Sequence, residues 1–138
     1  MNPLPDADHV ARYCRPSTVD ESGRPMTGAF ATRDGEGHLP VNWLECFDPR
    51  VEVAVNRVRD ELLLQGAPLR PNGRFALLDI GMVKAAVKQS LGCSLHINQL
   101  APDSDPSGAA IFGRSDDGLM LAAEIKALVR HNRVRRAV

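Results

Sequence analysis

The sequence is poor in aromatic residues and balanced in charge, and both features narrow the functions it can have. Only 4% of its 138 residues are Phe, Trp or Tyr, which argues against a surface that stacks single-stranded nucleic acid on exposed rings. The 17 basic and 17 acidic residues cancel, so the chain lacks the net positive charge that drives non-specific nucleic-acid binding. Nucleic acid is therefore not an expected broad-surface partner.

The sequence also lacks the features of secreted and membrane proteins. Its cysteines, Cys14, Cys46 and Cys93, are odd in number and widely spaced, which predicts reduced thiols rather than a disulfide framework. The N-terminal stretch does not combine a basic segment with an apolar one, and no apolar run approaches the ~18–20 residues that span a bilayer. We expect a cytoplasmic protein with no membrane partner.

The remaining composition is that of an ordinary folded domain. Hydrophobic residues make up 43% of the chain and charged residues 25%, which is enough apolar surface for one continuous core. We predict a single α+β domain over residues 1–138, with a loose lead-in at 1–8 and a basic tail at 131–138. The two Pro and two Asp of the lead-in are the reason for expecting it to be loose.

Hydrophobic patterning predicts a short mixed sheet of four to five strands and about three helices. The predicted strands are residues 9–14, 29–32, 75–80, 95–100 and 109–112. The first predicted helix begins at Asp48-Pro49 and ends at Gly66. The second covers residues 82–90 and ends at Gly92. The third follows a cap at Ser115–Asp117. Residues 16–28 are rich in turn formers and predict a long loop of the kind that is often functional.

One stretch, His38–Phe47, places strong polar groups inside an apolar run and reads HLPVNWLECF. Half-buried polar groups of this kind are either paired for structure or used for function. Pro40 argues against a regular central strand, because proline cannot donate to a ladder. We therefore predict that residues 41–47 form an edge strand or a short helix.

The candidate site residues cluster in the N-terminal third of the chain. Imidazole, phenol, guanidinium, hydroxyl and carboxylate groups are the parts that hold a phosphate or a sugar and move a proton. The candidate catalytic residues are His9, Tyr13 and Glu45. The candidate ligand-binding residues are Arg12, Arg15, Ser17, Asn42 and Trp43. The same residues are also compatible with a structural polar network, in which one arginine pairs with Glu45.

Metal and cofactor sites are not predicted. A structural zinc motif needs two closely spaced pairs of His or Cys ligands. Cys93 and His96 make a single CxxH, and the other His and Cys residues do not supply a second pair with such a spacing. The strand-to-helix junction at Gly81 does not match either glycine-rich phosphate motif. No serine or cysteine lies in a recognisable nucleophile motif.

The chain resembles a widespread family of small bacterial proteins for which no function is known. The resemblance lies in DHVARYCRPSTVDESGRP, LPVNWLECF, FALLDIG and DPSGAAIFG, which are similar to the family patterns HVxRYxxPS, SVNWLE, FAVLNVG and DPSHAxIxG. It spans Asp8 to Gly113 and implies a cytoplasmic bacterial protein. The positions that match are His9, Arg12, Tyr13, Pro16, Ser17, Asn42, Trp43 and Glu45. Two positions depart from the patterns: Pro40 replaces a Ser, and Gly108 replaces a His. If that His is a general acid or base in the family, its loss impairs the activity or leaves the role to His96; if it is only a turn residue, glycine is a harmless substitute.

Two hypotheses of function follow. The first is a non-enzymatic binding or accessory protein of a bacterial operon, in a defence or toxin-linked setting, with a protein partner or a second copy of itself. The small size and the lack of a standard catalytic motif favour it.

The alternative is a small enzyme acting on a nucleotide, an NAD-like molecule or an RNA phosphate. In that enzyme Arg12 and Arg15 hold the phosphate, and His9 and Tyr13 position or relay a proton. Glu45 is the general acid or base, or it accepts a hydrogen bond from a sugar hydroxyl.

Overall fold

The structure is a computed structural model that describes residues 2–32, 37–101, 103–113 and 118–138. The strands are β1 (Asn2–Pro3), β2 (His9–Cys14), β3 (His38–Trp43), β4 (Arg74–Asp79), β5 (His96–Gln99), β6 (Gly108–Phe112) and β7 (Val134–Arg136). The helices are α1 (Val51–Leu64), α2 (Ile80–Leu91) and α3 (Gly118–Ala127). Three short 3-10 helices lie at Pro16–Thr18, Thr27–Phe30 and His131–Arg133.

The strands form one sheet in the order β1-β5-β6-β3-β2-β4-β7. Every pair of neighbours is antiparallel. The predicted α+β class and the three helices are confirmed, but the described residues form a sheet of seven strands rather than four to five, and it is antiparallel rather than mixed. Three of these strands are not among those predicted. β1 and β7 are two and three residues long, too short to show an alternating pattern, and β3 overlaps the stretch predicted as an edge strand or a short helix.

The sheet is covered on both faces. On one face α1 packs over β2 and β4, and the fully buried residues there include Ala11, Val55, Val58, Phe75 and Leu77. On the other face α2 and α3 cover the sheet, with a buried set that includes Val10, Leu78, Val83, Val87 and Ile125. Successive residues of a strand point to opposite faces, so β2 contributes to both cores through neighbouring positions.

Most predicted elements are present with small shifts. The strand at 9–14 is confirmed, and α1 and α2 match the predicted helices. Gly92 ends α2 in the left-handed conformation, with φ of 66°, as expected of a glycine at that position. The strand predicted at 29–32 is wrong: Thr27–Phe30 is a 3-10 helix, in which the Ala29 N–H donates to the carbonyl of Met26 at 3.0 Å.

Helix α1 begins later than predicted. Asp48 is not its N-cap; its carboxylate accepts hydrogen bonds from the backbone N–H and the guanidinium of Arg50, at 2.8 and 3.0 Å. These hydrogen bonds from Arg50 lower the pKa of Asp48 to about 2. The predicted cap of the last helix at residues 115–117 lies outside the described residues.

Both chain ends are tied to the sheet, which corrects the expectation of a loose lead-in. Asn2 and Pro3 pair with β5, and Leu4 is buried. The basic tail contains β7, and its end is held by Arg59, whose guanidinium donates to the carbonyls of Arg136 and Ala137 at 2.6 and 2.8 Å. Within the described residues no helix has both the length and the apolar content needed to cross a bilayer.

Candidate functional site

A pocket of about 760 Å³ opens beside the C-terminal half of β2. Its walls come from β2 itself, from the loop that follows it, from the start of β3 and from the connector between α1 and β4. This volume lies in the range of small-molecule binding sites, roughly 300–1,000 Å³. The pocket contains four of the predicted site residues, Arg12, Tyr13, Arg15 and Ser17.

The pocket lies where the ladder between β2 and β3 stops. Those strands pair only at Val10–Trp43 and Ala11–Asn42, although β2 continues along β4 to Cys14 and β3 continues along β6 back to His38. The Leu44 N–H donates to β2, at His9, and the Trp43 N–H donates away from β2, to Ser107. Because backbone N–H and C=O groups alternate in direction along a strand, the backbone groups of residue 40 point toward β2, as those of Leu44 do.

Pro40 explains why the strands separate at this point. It has no N–H to offer β2, and its carbonyl instead accepts a hydrogen bond from Nη1 of Arg12 at 2.9 Å. The prediction that residues 41–47 form an edge strand or a helix is therefore wrong, because β3 is an interior strand. The argument that proline cannot donate to a ladder is still correct at Pro40 itself, because β3 does not pair with β2 at that residue.

Among the described residues, three arginines line the pocket: Arg12, Arg15 and Arg70. Arg12 is partly committed to structure, because Nε donates to the carbonyl of Ala29 at 3.0 Å and Nη1 to that of Pro40. It thereby ties the loop after β2 to β3. Arg15 and Arg70 are exposed, and among the described residues their guanidiniums form no hydrogen bond or ion pair. None of the described lining residues is acidic, so the described lining carries a positive charge.

Tyr13 positions the connector that carries Arg70. Its hydroxyl accepts a hydrogen bond from the backbone N–H of Arg70 at 3.1 Å, and its ring packs against Phe75 with centroids 5.7 Å apart. Gly73 is buried beneath it, and a Cβ added there would lie 2.7 Å from the Tyr13 hydroxyl oxygen. The side chain at position 73 must therefore be absent for Tyr13 to hold this position.

The rest of the described pocket lining is largely apolar and rigid. Three prolines contribute to it, together with small or aliphatic side chains: Pro16, Pro40, Pro68, Ala29, Ala31 and Leu39. Ser17 adds an exposed hydroxyl from the loop after β2. A ligand that fits this lining combines negative charge with an apolar surface.

His9 and Glu45 form a different cluster, at the opposite end of β2. Glu45 accepts from the His9 backbone N–H at 2.7 Å, and its other oxygen lies 2.7 Å from Nδ1 of the ring. Asp79 completes the cluster, with Oδ1 2.5 Å from Nε2 of His9. Each ring nitrogen of His9 thus lies within hydrogen-bond distance of a carboxylate oxygen.

The predicted constellation is therefore two groups rather than one. His9 lies four residues before Tyr13 on β2, a separation of about 13 Å at the usual rise of a strand. Neither His9 nor Glu45 lines the pocket. Glu45 therefore takes part in a structural polar network, but its partner among the described residues is His9 and not an arginine as predicted.

Asn42 and Trp43 are also engaged away from the pocket. The Asn42 amide donates to the hydroxyl of Ser107 at 3.0 Å, and Ser107 in turn donates to Asp105 at 2.8 Å. The Trp43 indole N–H donates to Asp8 at 2.9 Å. The side chains of both candidates thus link β3 to neighbouring segments.

Several residues of both groups were not found from the sequence. Arg70 and Pro68 lie in a stretch whose composition indicates only a connector, and Asp79 ends an apolar run that indicates only a buried strand. Asp79 pairs with His9 through the register of β2 and β4, which hydrophobic pattern does not fix. The local signal at the connector is an arginine close to two prolines, Pro68 and Pro71, in APLRPNG.

The thiols do not add a reactive group to the pocket. Burial raises the pKa of Cys14 to about 12, against a smaller opposing effect of Arg12, so the thiol is protonated near neutral pH. Burial and the nearby Asp105 raise the pKa of Cys46, which Arg57 partly offsets. Across the described part of the chain, no group of three or more His, Cys, Asp or Glu side chains has a geometry that could hold a metal ion.

Comparisons with protein-family models, with curated proteins and with solved structures find no match to this chain.

Proposed function

We propose that this protein is a non-enzymatic binding protein that takes a small anionic molecule into the pocket beside β2. The observation that carries the proposal is the presence of Arg15 and Arg70 in that pocket, with guanidiniums that form no hydrogen bond or ion pair among the described residues. A guanidinium offers a planar set of donors that matches carboxylate and phosphate groups. Because both side chains are exposed, a ligand can reach them without a large rearrangement.

The division of the predicted residues into two groups supports binding over catalysis. The alternative enzyme needs His9 or Glu45 near a phosphate held by Arg12, and hydrogen-bond reach is about 3 Å. His9 instead lies between Glu45 and Asp79, about 13 Å along β2 from Tyr13. Tyr13 is the one candidate catalytic residue that lines the pocket, and its hydroxyl already accepts from Arg70.

A calorimetric titration with pyrophosphate, citrate and mononucleotides tests the proposal. We expect at least one of these anions to bind, and Arg15→Ala and Arg70→Ala to weaken it by about 10- to 100-fold each. Arg24→Ala is the matched control, because Arg24 is an exposed arginine of the same loop that does not line the pocket. If no anion binds, or if Arg24→Ala weakens binding equally, the proposal fails.

We further propose an accessory role in a bacterial operon, with a protein partner or a second copy of this chain. Exposed leucines at the end of α1 are compatible with such a contact, since Leu63 and Leu64 are 53% and 83% exposed. Light scattering of the purified protein gives its mass in solution. A monomeric mass in the presence and absence of the bound anion would oppose self-association.

A further inference from the structure

The pocket is much larger than an inorganic anion needs. Its volume of about 760 Å³ suits a molecule the size of a cofactor or drug, and inorganic phosphate would occupy a small part of it. A ligand that uses the whole pocket therefore has a body as well as a charged group. The lining indicates what each part is made of.

The charge of the lining favours a phosphate ester as the anionic group. Arg15 and Arg70 contribute two positive charges that no described residue neutralises, and no described lining residue is acidic. A phosphate monoester carries about −1.5 to −2 charges at pH 7 and has three acceptor oxygens. A single carboxylate carries one charge and two oxygens, so it matches this arrangement less well.

The apolar part of the lining favours a flat, ring-containing body. Leu39, Ala29 and Ala31 offer short apolar side chains, and the prolines offer surfaces whose shape is fixed by their rings. The guanidinium planes of Arg15 and Arg70 have no described partner to hold them in another plane. Arginine planes stack on nucleobases in single-stranded nucleic-acid recognition. A polyanion without an apolar surface, such as citrate, would leave the apolar lining unused.

From these observations, and resting on the proposed function, we infer that the ligand is a phosphate monoester with a flat aromatic body, of the class of a nucleoside monophosphate. The phosphate lies among the arginines, and the ring lies against the proline and alanine surfaces. Ser17, the exposed hydroxyl in the pocket, is available to a sugar or phosphate oxygen.

The experiment compares matched pairs of probes by calorimetry on the full chain. AMP is compared with ribose 5-phosphate and with adenosine, and phenyl phosphate with cyclohexyl phosphate, which has a similar size but a puckered ring. We expect AMP to bind at least about tenfold more tightly than either of its parts, and phenyl phosphate to bind more tightly than cyclohexyl phosphate. Arg15→Ala should reduce the affinity for AMP by a larger factor than it reduces the weak affinity for adenosine, because only AMP also loses a phosphate contact.

Other outcomes separate this inference from the proposed function. If ribose 5-phosphate binds as tightly as AMP, or cyclohexyl phosphate as tightly as phenyl phosphate, the flat aromatic body is wrong while anion binding stands. If citrate or pyrophosphate binds and no phosphate ester does, the ester class is wrong. If no anion of either panel binds, both the inference and the proposed function fall.

Discussion

Arg12 donates a hydrogen bond from Nη1 to the carbonyl of Pro40, 2.9 Å away, at the point where β2 and β3 cease to pair. The side chain of one strand thus satisfies a carbonyl that a continued ladder would have satisfied with a backbone N–H. The same guanidinium holds the carbonyl of Ala29. One residue therefore accommodates the break in the sheet and fixes the loop that forms a wall of the pocket.

Replacing Arg12 should loosen that wall. For Arg12→Ala we expect the free energy of unfolding to fall by about 1–3 kcal/mol, because two carbonyls lose a charged donor. Anion affinity should fall as well, since the loop is no longer held. Urea unfolding followed by the fluorescence of Trp43, the sole tryptophan, measures the first effect. An Arg12→Ala protein as stable as the parent would show that these bonds do not support the wall.

Gly73 should not tolerate a side chain. A Cβ at this position would lie 2.7 Å from the Tyr13 hydroxyl oxygen, so Gly73→Ala must displace a ring held by Phe75 and by Arg70. We expect a loss of about 1–3 kcal/mol in the free energy of unfolding. Gly28→Ala is the control for stability, because nothing lies within 4 Å of a Cβ there. Equal thermal midpoints for the two variants would contradict the packing argument.

The His9 cluster should behave as a structural unit. His9→Ala leaves Glu45 and Asp79 without their shared hydrogen-bond partner. We therefore expect the free energy of unfolding to fall by about 1–3 kcal/mol. A double-mutant cycle of His9→Ala with Asp79→Asn should give a coupling of about 0.5–3 kcal/mol. Anion affinity at the pocket should not change in His9→Ala. Full stability together with lost affinity would instead favour the enzyme alternative.

Cys14 should be the least reactive thiol. Burial raises its pKa in the folded chain to about 12, from an ordinary value of 9.0. The unfolded chain therefore releases this proton at lower pH than the folded chain, and Cys14 lowers the free energy of unfolding as the pH rises from about 9 toward 12. Labelling with a thiol reagent at pH 8, read by mass spectrometry, should modify Cys46 and Cys93 first and Cys14 only on unfolding. Rapid labelling of Cys14 in the folded protein would contradict its burial.

Alkaline unfolding provides a second check on Cys14. The decline in stability between about pH 9 and 12 should be shallower in Cys14→Ala than in the parent, whatever the absolute stability of the variant. The comparison uses the difference in slope, because all other titratable groups are the same in both proteins. Identical slopes would mean that the Cys14 thiol is not shielded from water.

The sequence by itself determined the elements whose signals are local. Alternation along His9–Cys14, the apolar run at Phe75–Ile80 and the glycine that ends α2 at Gly92 each reflect the backbone geometry of a few consecutive residues. The α+β class followed from the mixture of such segments. The sequence also identified Arg12, Tyr13, Arg15 and Ser17, which share the pocket, because they lie within six consecutive positions of the chain.

Tertiary structure decided which distant residues meet. The register of β2 against β4 brings Asp79 to His9, and a shift of one residue would have pointed every side chain of a strand to the other face. The same long-range pairing of strands keeps His9 and Glu45 away from the arginines of the pocket. It also brings Arg70, which lies on a connector, to the pocket. Pro40 depends on both the sequence and the tertiary structure. Its lack of an N–H is a property of the residue, but the pocket forms there because the fold places Pro40 beside β2, where the two strands separate.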